Sequence, residues 1–325
     1  MKNMLLLLSL WLAGAVGAAE RFDFVFSWGR VKDEESAHAY AEIGVTDVFA
    51  AGEKCVAAAK KYGMRPYCGF GPCGPHRQEL SVAEQEYMKG LKTSEGLRVS
   101  RCQFGGEPVT ALDTCPEMIA CFLSDTNCVM SKARMEKKLK DNPQAEGIAF
   151  DYIGYVNLHS CECADCRAKL AASGKAPEVF FREALVSYIN TMVDYARKLR
   201  PGIKVAIHLY PAFRPDPLYG RDIKADYVQE TVAWYFQWPD EKISDYTRKI
   251  LSAPHLAGAA SIPFVGLNAS QTSELAYKSP ERLEAELKLI LAAGGHQLAV
   301  CNGRDMVKPG YREVFQRHCR LQTEK

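Results

Sequence analysis

Short segments that are apolar at nearly every position recur along this chain, and stretches with helical character separate them. Val205-Ala-Ile207 and Leu298-Ala-Val300 are two examples. Successive side chains of a strand point to opposite faces, so a strand of this kind has to be covered on both. That is the condition of a parallel sheet whose crossover helices lie over it. The reading gives a strand at Phe22–Trp28, a helix at Glu34–Ile43, a strand at Val45–Ala50, a helix at Glu53–Tyr62 closed by Gly63, and a strand at Met64–Phe70. The rhythm then breaks from about residue 71 to about 141, a stretch with two expected helices (Val82–Leu91 and Val129–Leu139) and a short strand at Arg98–Phe104.

The alternation resumes with a strand at Gly147–Tyr152. A long helix follows at Pro177–Leu199, whose apolar residues Leu185, Ile189, Met192, Ala196 and Leu199 keep close to helical spacing. Strands at Ile203–Tyr210 and Glu230–Phe236 come next, then a helix at Glu241–Leu251 and a strand at Ala260–Leu267. A helix at Pro280–Ala293 is stopped by Gly294-Gly295, a strand covers Gln297–Cys301, and a helix at Tyr311–Cys319 closes the chain. Eight strands, each followed by a helix or a helical insertion, predict an α/β fold, a (β/α)8 TIM barrel with a long Cys-rich insertion after strand 3. An open doubly wound sheet is the competing layout. It asks for a glycine-rich phosphate loop after the first strand, and Trp28-Gly29-Arg30-Val31 is not one.

The first 19 residues are of another kind. Lys2 is followed by an apolar run from Met4 to Leu12 and a small-residue segment from Ala13 to Ala19. This reads as a secretory signal peptide, with residues 20–325 as a single barrel domain exported to the periplasm or the outside of the cell. Its removal takes one base, Lys2, from the 41 basic residues and nothing from the 39 acidic ones. A mature chain so near neutrality offers no electrostatic reason to expect nucleic acid, nor a membrane surface once the signal is cleaved.

The densest chemistry lies at Gly147-Ile-Ala-Phe-Asp151-Tyr152-Ile-Gly-Tyr155, followed by Cys161-Glu-Cys163-Ala-Asp-Cys166. Alternation puts Gly147, Ala149 and Asp151 on one face, so the carboxylate ends the fourth strand on the side of the small residues. Barrel enzymes keep their chemistry at that end of the strands. His208 and Tyr210 share a face of the fifth strand. Asp240 follows Gln237-Trp238-Pro239 and is the second candidate carboxylate, with N-terminal helix capping as its plain structural role. Glu107, inside the insertion, is another. Glu230 is placed at the start of the sixth strand, the wrong end for catalysis. Asp151, Asp240 and His208 are therefore the expected catalytic residues. Trp28, Tyr152, Tyr155, Tyr210, Tyr235, Gln237, Trp238, Asn302 and Arg304 are the expected substrate-binding ones. Phe70, Arg214, Asp216, Asn268 and Asp305 also fall at strand ends. Aromatic faces stack on the C–H faces of sugar rings and carboxylates supply acid, base or nucleophile, so this rim suits glycosidic chemistry on a carbohydrate.

Twelve cysteines are many for an exported enzyme. Cys161, Cys163 and Cys166 with Cys115 or Cys121 would close a structural Zn²⁺ site. Disulfides to the insertion are one alternative in an oxidising compartment, and free thiols are the other. A redox role for Cys163-x-x-Cys166 ranks low, because the motif does not open a helix in a thioredoxin-like pattern. No organic cofactor is expected, and the oligomeric state is left open.

Phe150-Asp151-Tyr152-Ile153-x-Tyr155 resembles the Phe-Asp-Tyr-Ile-Arg-Tyr signature of the fourth strand in uncharacterised glycoside-hydrolase-like barrels. The cysteine cluster is similar to the one found at the same place in family 42 β-galactosidases, where it binds zinc with an upstream cysteine. The match in motif covers about residues 147 to 170. It departs from family 42 where that family has an Asn-Glu pair ending strand four and a Glu ending strand seven, for which this chain has Asp151-Tyr152 and Gly266-Leu267-Asn268. The chitinase-like pattern also fails, with Ile153 in place of its acid. The resemblance that remains is to retaining α-glycosidases, whose nucleophile is an Asp ending strand four. It implies an exported glycoside hydrolase with Asp151 as nucleophile or base, or a non-catalytic carbohydrate-binding barrel derived from one. A metal-dependent hydrolase is disfavoured by the seven histidines, none of them in a His-x-His pair.

Overall fold

The computed structural model describes residues 21–71, 101–104, 107–110, 122–123, 125–153, 164–209, 222–234, 238–252, 256, 258–269 and 277–321. Residues 1–19 and the expected helix at 82–91 lie outside this set.

The first half of the barrel comprises β1 (Phe24–Val31), α1 (Glu34–Ala41), β2 (Asp47–Ala50), α2 (Glu53–Lys61) and β3 (Arg65–Phe70). Local sequence explains these boundaries. At the start of α1, Asp33 accepts from Ser36 N at 2.8 Å and Ser36 Oγ accepts from Asp33 N at 3.1 Å, a reciprocal cap that satisfies two orphan amides. After α2, Gly63 takes φ +74, the left-handed conformation that turns the chain into β3 at little cost.

The insertion contains β4 (Arg101–Phe104) and β5 (Glu107–Thr110), an antiparallel pair, and then α3 (Asp125–Asp141). The chain continues through β6 (Gly147–Ile153), α4 (Ala164–Ser173), α5 (Pro177–Leu199), β7 (Lys204–Leu209), β8 (Tyr227–Ala233), α6 (Asp240–Ser252), β9 (Ala260–Gly266), α7 (Pro280–Ala292), β10 (Gln297–Cys301) and α8 (Tyr311–His318).

Eight strands close into one barrel in the order β1-β10-β9-β8-β7-β6-β3-β2, every neighbouring pair parallel. The expected (β/α)8 barrel is the observed fold. The helices pack on its outer face. In α5 the predicted stripe Leu185, Ile189, Met192 and Ala196 is buried, whereas Leu199, at the last turn, is exposed. Beyond α8, Phe22 bridges to Cys319, with Phe22 N donating to His318 O and Arg320 N to Phe22 O, so the last described segment lies beside the first.

Ring contacts identify the inward face. Phe26 packs edge-on against Tyr67 at 4.8 Å, and Phe24 lies tilted by 35° against Tyr227 at the same separation. Tyr67 fits only because β6 begins with Gly147, where a Cβ would come within 2.1 Å of the Tyr67 ring. At the N-terminal end of the strands Asp47, 1% exposed, meets Arg65 NH1 at 3.1 Å, and the same nitrogen donates to Tyr227 Oη at 2.9 Å. Burial pushes the Asp47 carboxyl up to about 6 in spite of the guanidinium. A cavity of about 490 Å³ opens on this end, lined by Lys60, Glu146, Asp23 and the Asp47–Arg65 pair among others.

One strand sits in a different register from that expected. The sixth barrel strand is β8, Tyr227–Ala233, three residues earlier than the apolar run Val232-Ala-Trp-Tyr-Phe suggests. Glu230 is therefore in the middle of a strand, not at its start. Its neighbours Gln229 and Thr231 face the barrel interior, so alternation turns Glu230 outward, under the helical layer, where Ser261 Oγ donates to it at 3.1 Å. It is only 5% exposed, and burial pushes its carboxyl up to about 7.

Two predictions come from this packing. Gly147→Ala should destabilise the fold by about 3 kcal/mol, since the ring it meets is enclosed on all sides, as urea unfolding would read. Glu230 binds its proton more tightly in the folded chain than its ordinary value of 4.5. The stability this lends is complete below that pH and is lost as pH rises through about 7. Glu230→Gln keeps the shape and the Ser261 bond without that loss. At pH 8 it should be more stable than the parent by about 2–3 kcal/mol, with the gap gone at pH 4.

Candidate active site at the barrel mouth

Three irregularities shape the C-terminal mouth. The pairing of β1 with β2 shifts between Ser27 and Arg30, that of β6 with β7 between Phe150 and Ile153, and that of β8 with β9 between Thr231 and Ala233. Bulges re-aim side chains and are common beside active sites. Here they flank Trp28, Asp151 and Thr231. At the first, Gly29 N donates to Ser27 Oγ at 3.1 Å, and the backbone of Gly29 lies against that of Gly303. A Cβ on Gly303 would stand 2.2 Å from Gly29 N, so this seam between the first and last strands admits no side chain.

Asp151 ends the inward row Gly147, Ala149, Asp151, and its side chain is 31% exposed. Behind it lies His208, with Nδ1 3.4 Å from Asp151 Oδ1 and Nε2 3.2 Å from Thr231 Oγ1. The imidazole stacks on Phe264 at 3.8 Å and 12° and more loosely on Trp234 at 5.8 Å. This stack fixes the ring plane. Trp28 meets the same imidazole at 5.6 Å and Phe49 at 5.0 Å, both Trp28 and Phe49 being half-buried. The indole Nε1 donates to Gln229 Oε1 at 2.6 Å, and an indole can only donate, so the Gln229 amide has a defined orientation. Gly69, exposed on the inward row of β3, leaves room before Phe49. The result is a cup with an aromatic wall, a small-residue gap and one carboxylate backed by a histidine.

The expected site residues divide into three groups. Asp151, His208 and Trp28 come together. Asp240 opens α6, and its Oδ1 is held by Arg282 NH1 at 2.7 Å. Arg282 in turn donates to Trp238 O and to Glu286, which is buried with Lys278 at 2.6 Å. Trp238 is 6% exposed and carries Lys242 Nζ over its ring at 3.8 Å, an arrangement for packing more than for presenting a sugar platform. Asn302 is half-buried, its backbone N–H donating to Leu267 O, and Arg304 is exposed beyond it. Phe70 points outward onto Phe150, and Asn268 is buried. Asp305 is buried too, accepting from Ala269 N and paired with Lys308. Tyr152 lies at the end of β6. Tyr155, Tyr210, Tyr235, Gln237, Arg214 and Asp216 lie outside the described residues, and Glu107 is described as strand only.

Of the cysteine cluster, Cys166 is buried in α4, while Cys115, Cys121, Cys161 and Cys163 lie outside the described residues. Cys166 stands in the first turn of α4, which starts at Ala164. Among the described residues no group of three or more His, Cys, Asp or Glu side chains is placed to hold a metal ion.

Sequence reasoning missed Phe49, Gly69, Gln229, Thr231, Trp234 and Phe264. Alternation from Asp47 would have put Phe49 on the inward face. Gln229 fell before the expected start of the sixth strand and Thr231 at its entry, the wrong end for a site, since buried polar residues do not look like strand interior.

No protein-family model matches the chain, and no curated protein does. Solved structures do match it in fold. The glycoside hydrolase domain of PgaB (BpsB) from Bordetella bronchiseptica aligns with a TM-score of 0.59 over 92% of this chain and 99% of that one, at 10% identity. A β-galactosidase from Bacillus circulans sp. alkalophilus aligns at 0.54, covering 87% of this chain and half (50%) of that one, at 12% identity. A GH20 exo-β-N-acetylglucosaminidase from Vibrio harveyi aligns at 0.51, covering 94% and 55%, at 9% identity. Likeness at such identities is a likeness of fold. The chain is a TIM barrel similar in architecture to those of glycoside hydrolases.

Proposed function

We propose that the protein is an exported glycoside hydrolase that cleaves its carbohydrate at the C-terminal mouth of the barrel, with Asp151 as nucleophile or base. The observation that carries this reading is the half-exposed carboxylate at the end of the fourth barrel strand, backed by His208 and set beside the Trp28–Phe49 wall. The fold supports it, since structures of similar architecture include a glycoside hydrolase domain. Residues 1–19 supply the export signal, and no described helix is long and apolar enough to cross a membrane.

In the retaining form, Asp151 attacks the anomeric carbon as an acid gives its proton to the departing oxygen. Water then cleaves the glycosyl ester with the same group acting as base. In the inverting form, Asp151 takes the proton of the attacking water. Either form needs a second carboxyl, about 5–5.5 Å away for retention and about 6.5–9.5 Å for inversion. Asp240 and Glu107 are the candidates, and Asp240 would have to exchange its bond to Arg282 for one to the substrate. The cysteines at 115, 161, 163 and 166 are assigned a structural role, as a zinc site or as disulfides, outside the reaction.

The test is hydrolysis of a panel of aryl glycosides and of polymeric glycans by the mature chain. Asp151→Asn should lower kcat/KM by about 10²-fold or more with folding intact. Trp28→Ala should raise KM by about 3- to 10-fold with a smaller change in kcat, the loss expected for one sugar–aromatic stack. A mature chain that binds glycans and cleaves none would make it a carbohydrate-binding barrel instead.

A further inference from the structure

Asp151, His208 and Thr231 form a line whose hydrogen order can be worked out from its ends. An ionised carboxylate only accepts, so a favourable contact between Asp151 Oδ1 and His208 Nδ1 at 3.4 Å requires the hydrogen on Nδ1. A hydrogen on Nε2 alone would set the Nδ1 lone pair against the carboxylate. With Nδ1 protonated and the ring neutral, Nε2 is an acceptor, and the Thr231 hydroxyl stands 3.2 Å from it. That hydroxyl has a second acceptor in Leu209 O, to which it can donate at 3.3 Å, so its one hydrogen is divided between the backbone oxygen and Nε2, the nearer of the two. Donation to Nε2 gives the buried ring nitrogen its hydrogen bond and adds no charge to a ring that is 2% exposed.

We infer that Thr231 and His208 are positioning residues that orient Asp151 at the mouth: Thr231 Oγ1–H donates to His208 Nε2, and His208 Nδ1–H donates to Asp151 Oδ1. The sequence of groups is that of a hydrolase triad with the exposure reversed. Thr231 is fully buried and has no access to substrate, whereas Asp151 stands at the mouth. The reacting group is thus the carboxylate, and the hydroxyl serves as its anchor two bonds back. Phe264, stacked on the imidazole, keeps the ring in the plane that both bonds need. An Asp151 held in this way serves as nucleophile or base, and the proton for the leaving group comes from another carboxyl. This last point rests on the glycosidase reading; the hydrogen order does not.

The experiment has two arms. In the first, long-range ¹H–¹⁵N spectra are recorded on the mature chain labelled with ¹⁵N-histidine, the His208 signals being assigned by their disappearance in His208→Gln. The expected pattern is a protonated Nδ1 and an unprotonated, hydrogen-bonded Nε2. A hydrogen on Nε2, alone or together with Nδ1, overturns the inference. In the second arm, Thr231→Val should lower kcat on a cleaved glycoside by about 10-fold with KM within about twofold, and Thr231→Ser should restore it. A purely structural role would instead reduce the folded fraction and leave kcat per folded molecule unchanged, and that result also overturns the inference. The expected spectrum in a chain that cleaves no glycoside removes the glycosidase reading and leaves the hydrogen order standing.

Discussion

The pairing of β1 with β10 is the constraint on which the rest of this molecule depends. It turns an open parallel sheet into a closed one, so every inward side chain must share one narrow space. Tyr67 occupies its layer because Gly147 leaves it the volume. Gly29 and Gly303 let the first and last strands approach at the mouth. Closure also removes the sheet edges, so the strands carry no exposed ladder of amides.

Within the closed barrel, polar groups are buried only where partners are at hand. The N-terminal end holds Asp47 against Arg65 and Tyr227, and the C-terminal end holds His208 between Asp151 and Thr231. Aromatic rings from β1, β2, β3 and β9 fill the space between. The two ends differ in access. Asp47 is sealed and its carboxyl is pushed up by burial, whereas Asp151 reaches the surface of the mouth. That asymmetry leaves one carboxylate enclosed and one presented on the same scaffold. Outside the barrel, the buried Lys278–Glu286 pair and Arg282 tie α7 to the start of α6, which is where Asp240 finds its partner.

Much of the architecture could be read before the structure. The helix Pro177–Leu199 and the strand Gln297–Cys301 coincide with their expected bounds, since Pro at the first helical position and an unbroken apolar run are strong local signals. The reading was poorer where burial and polarity part company. Tyr227-Val-Gln-Glu-Thr-Val-Ala is a central strand with three consecutive buried polar residues, and local pattern favoured the more apolar segment after it. The error of three residues carried into the site. It moved attention to Trp238 and Asp240 and away from Gln229 and Thr231.

The sequence by itself determined the order of strands and helices, the place of the insertion, and the inward row that ends in Asp151. These follow from short-range rules: side-chain alternation, caps, and the stop signals of glycine. Only the tertiary structure decided that His208 and Thr231 stand behind Asp151, that Phe49 joins Trp28 in the wall, and that Asp240 is drawn to Arg282. Those pairings join residues far apart in the chain, His208 and Asp151 being 57 positions apart and Arg282 and Asp240 42. Barrel closure and the bulges at the mouth set how strand neighbours line up across the interior, and no local pattern encodes that register.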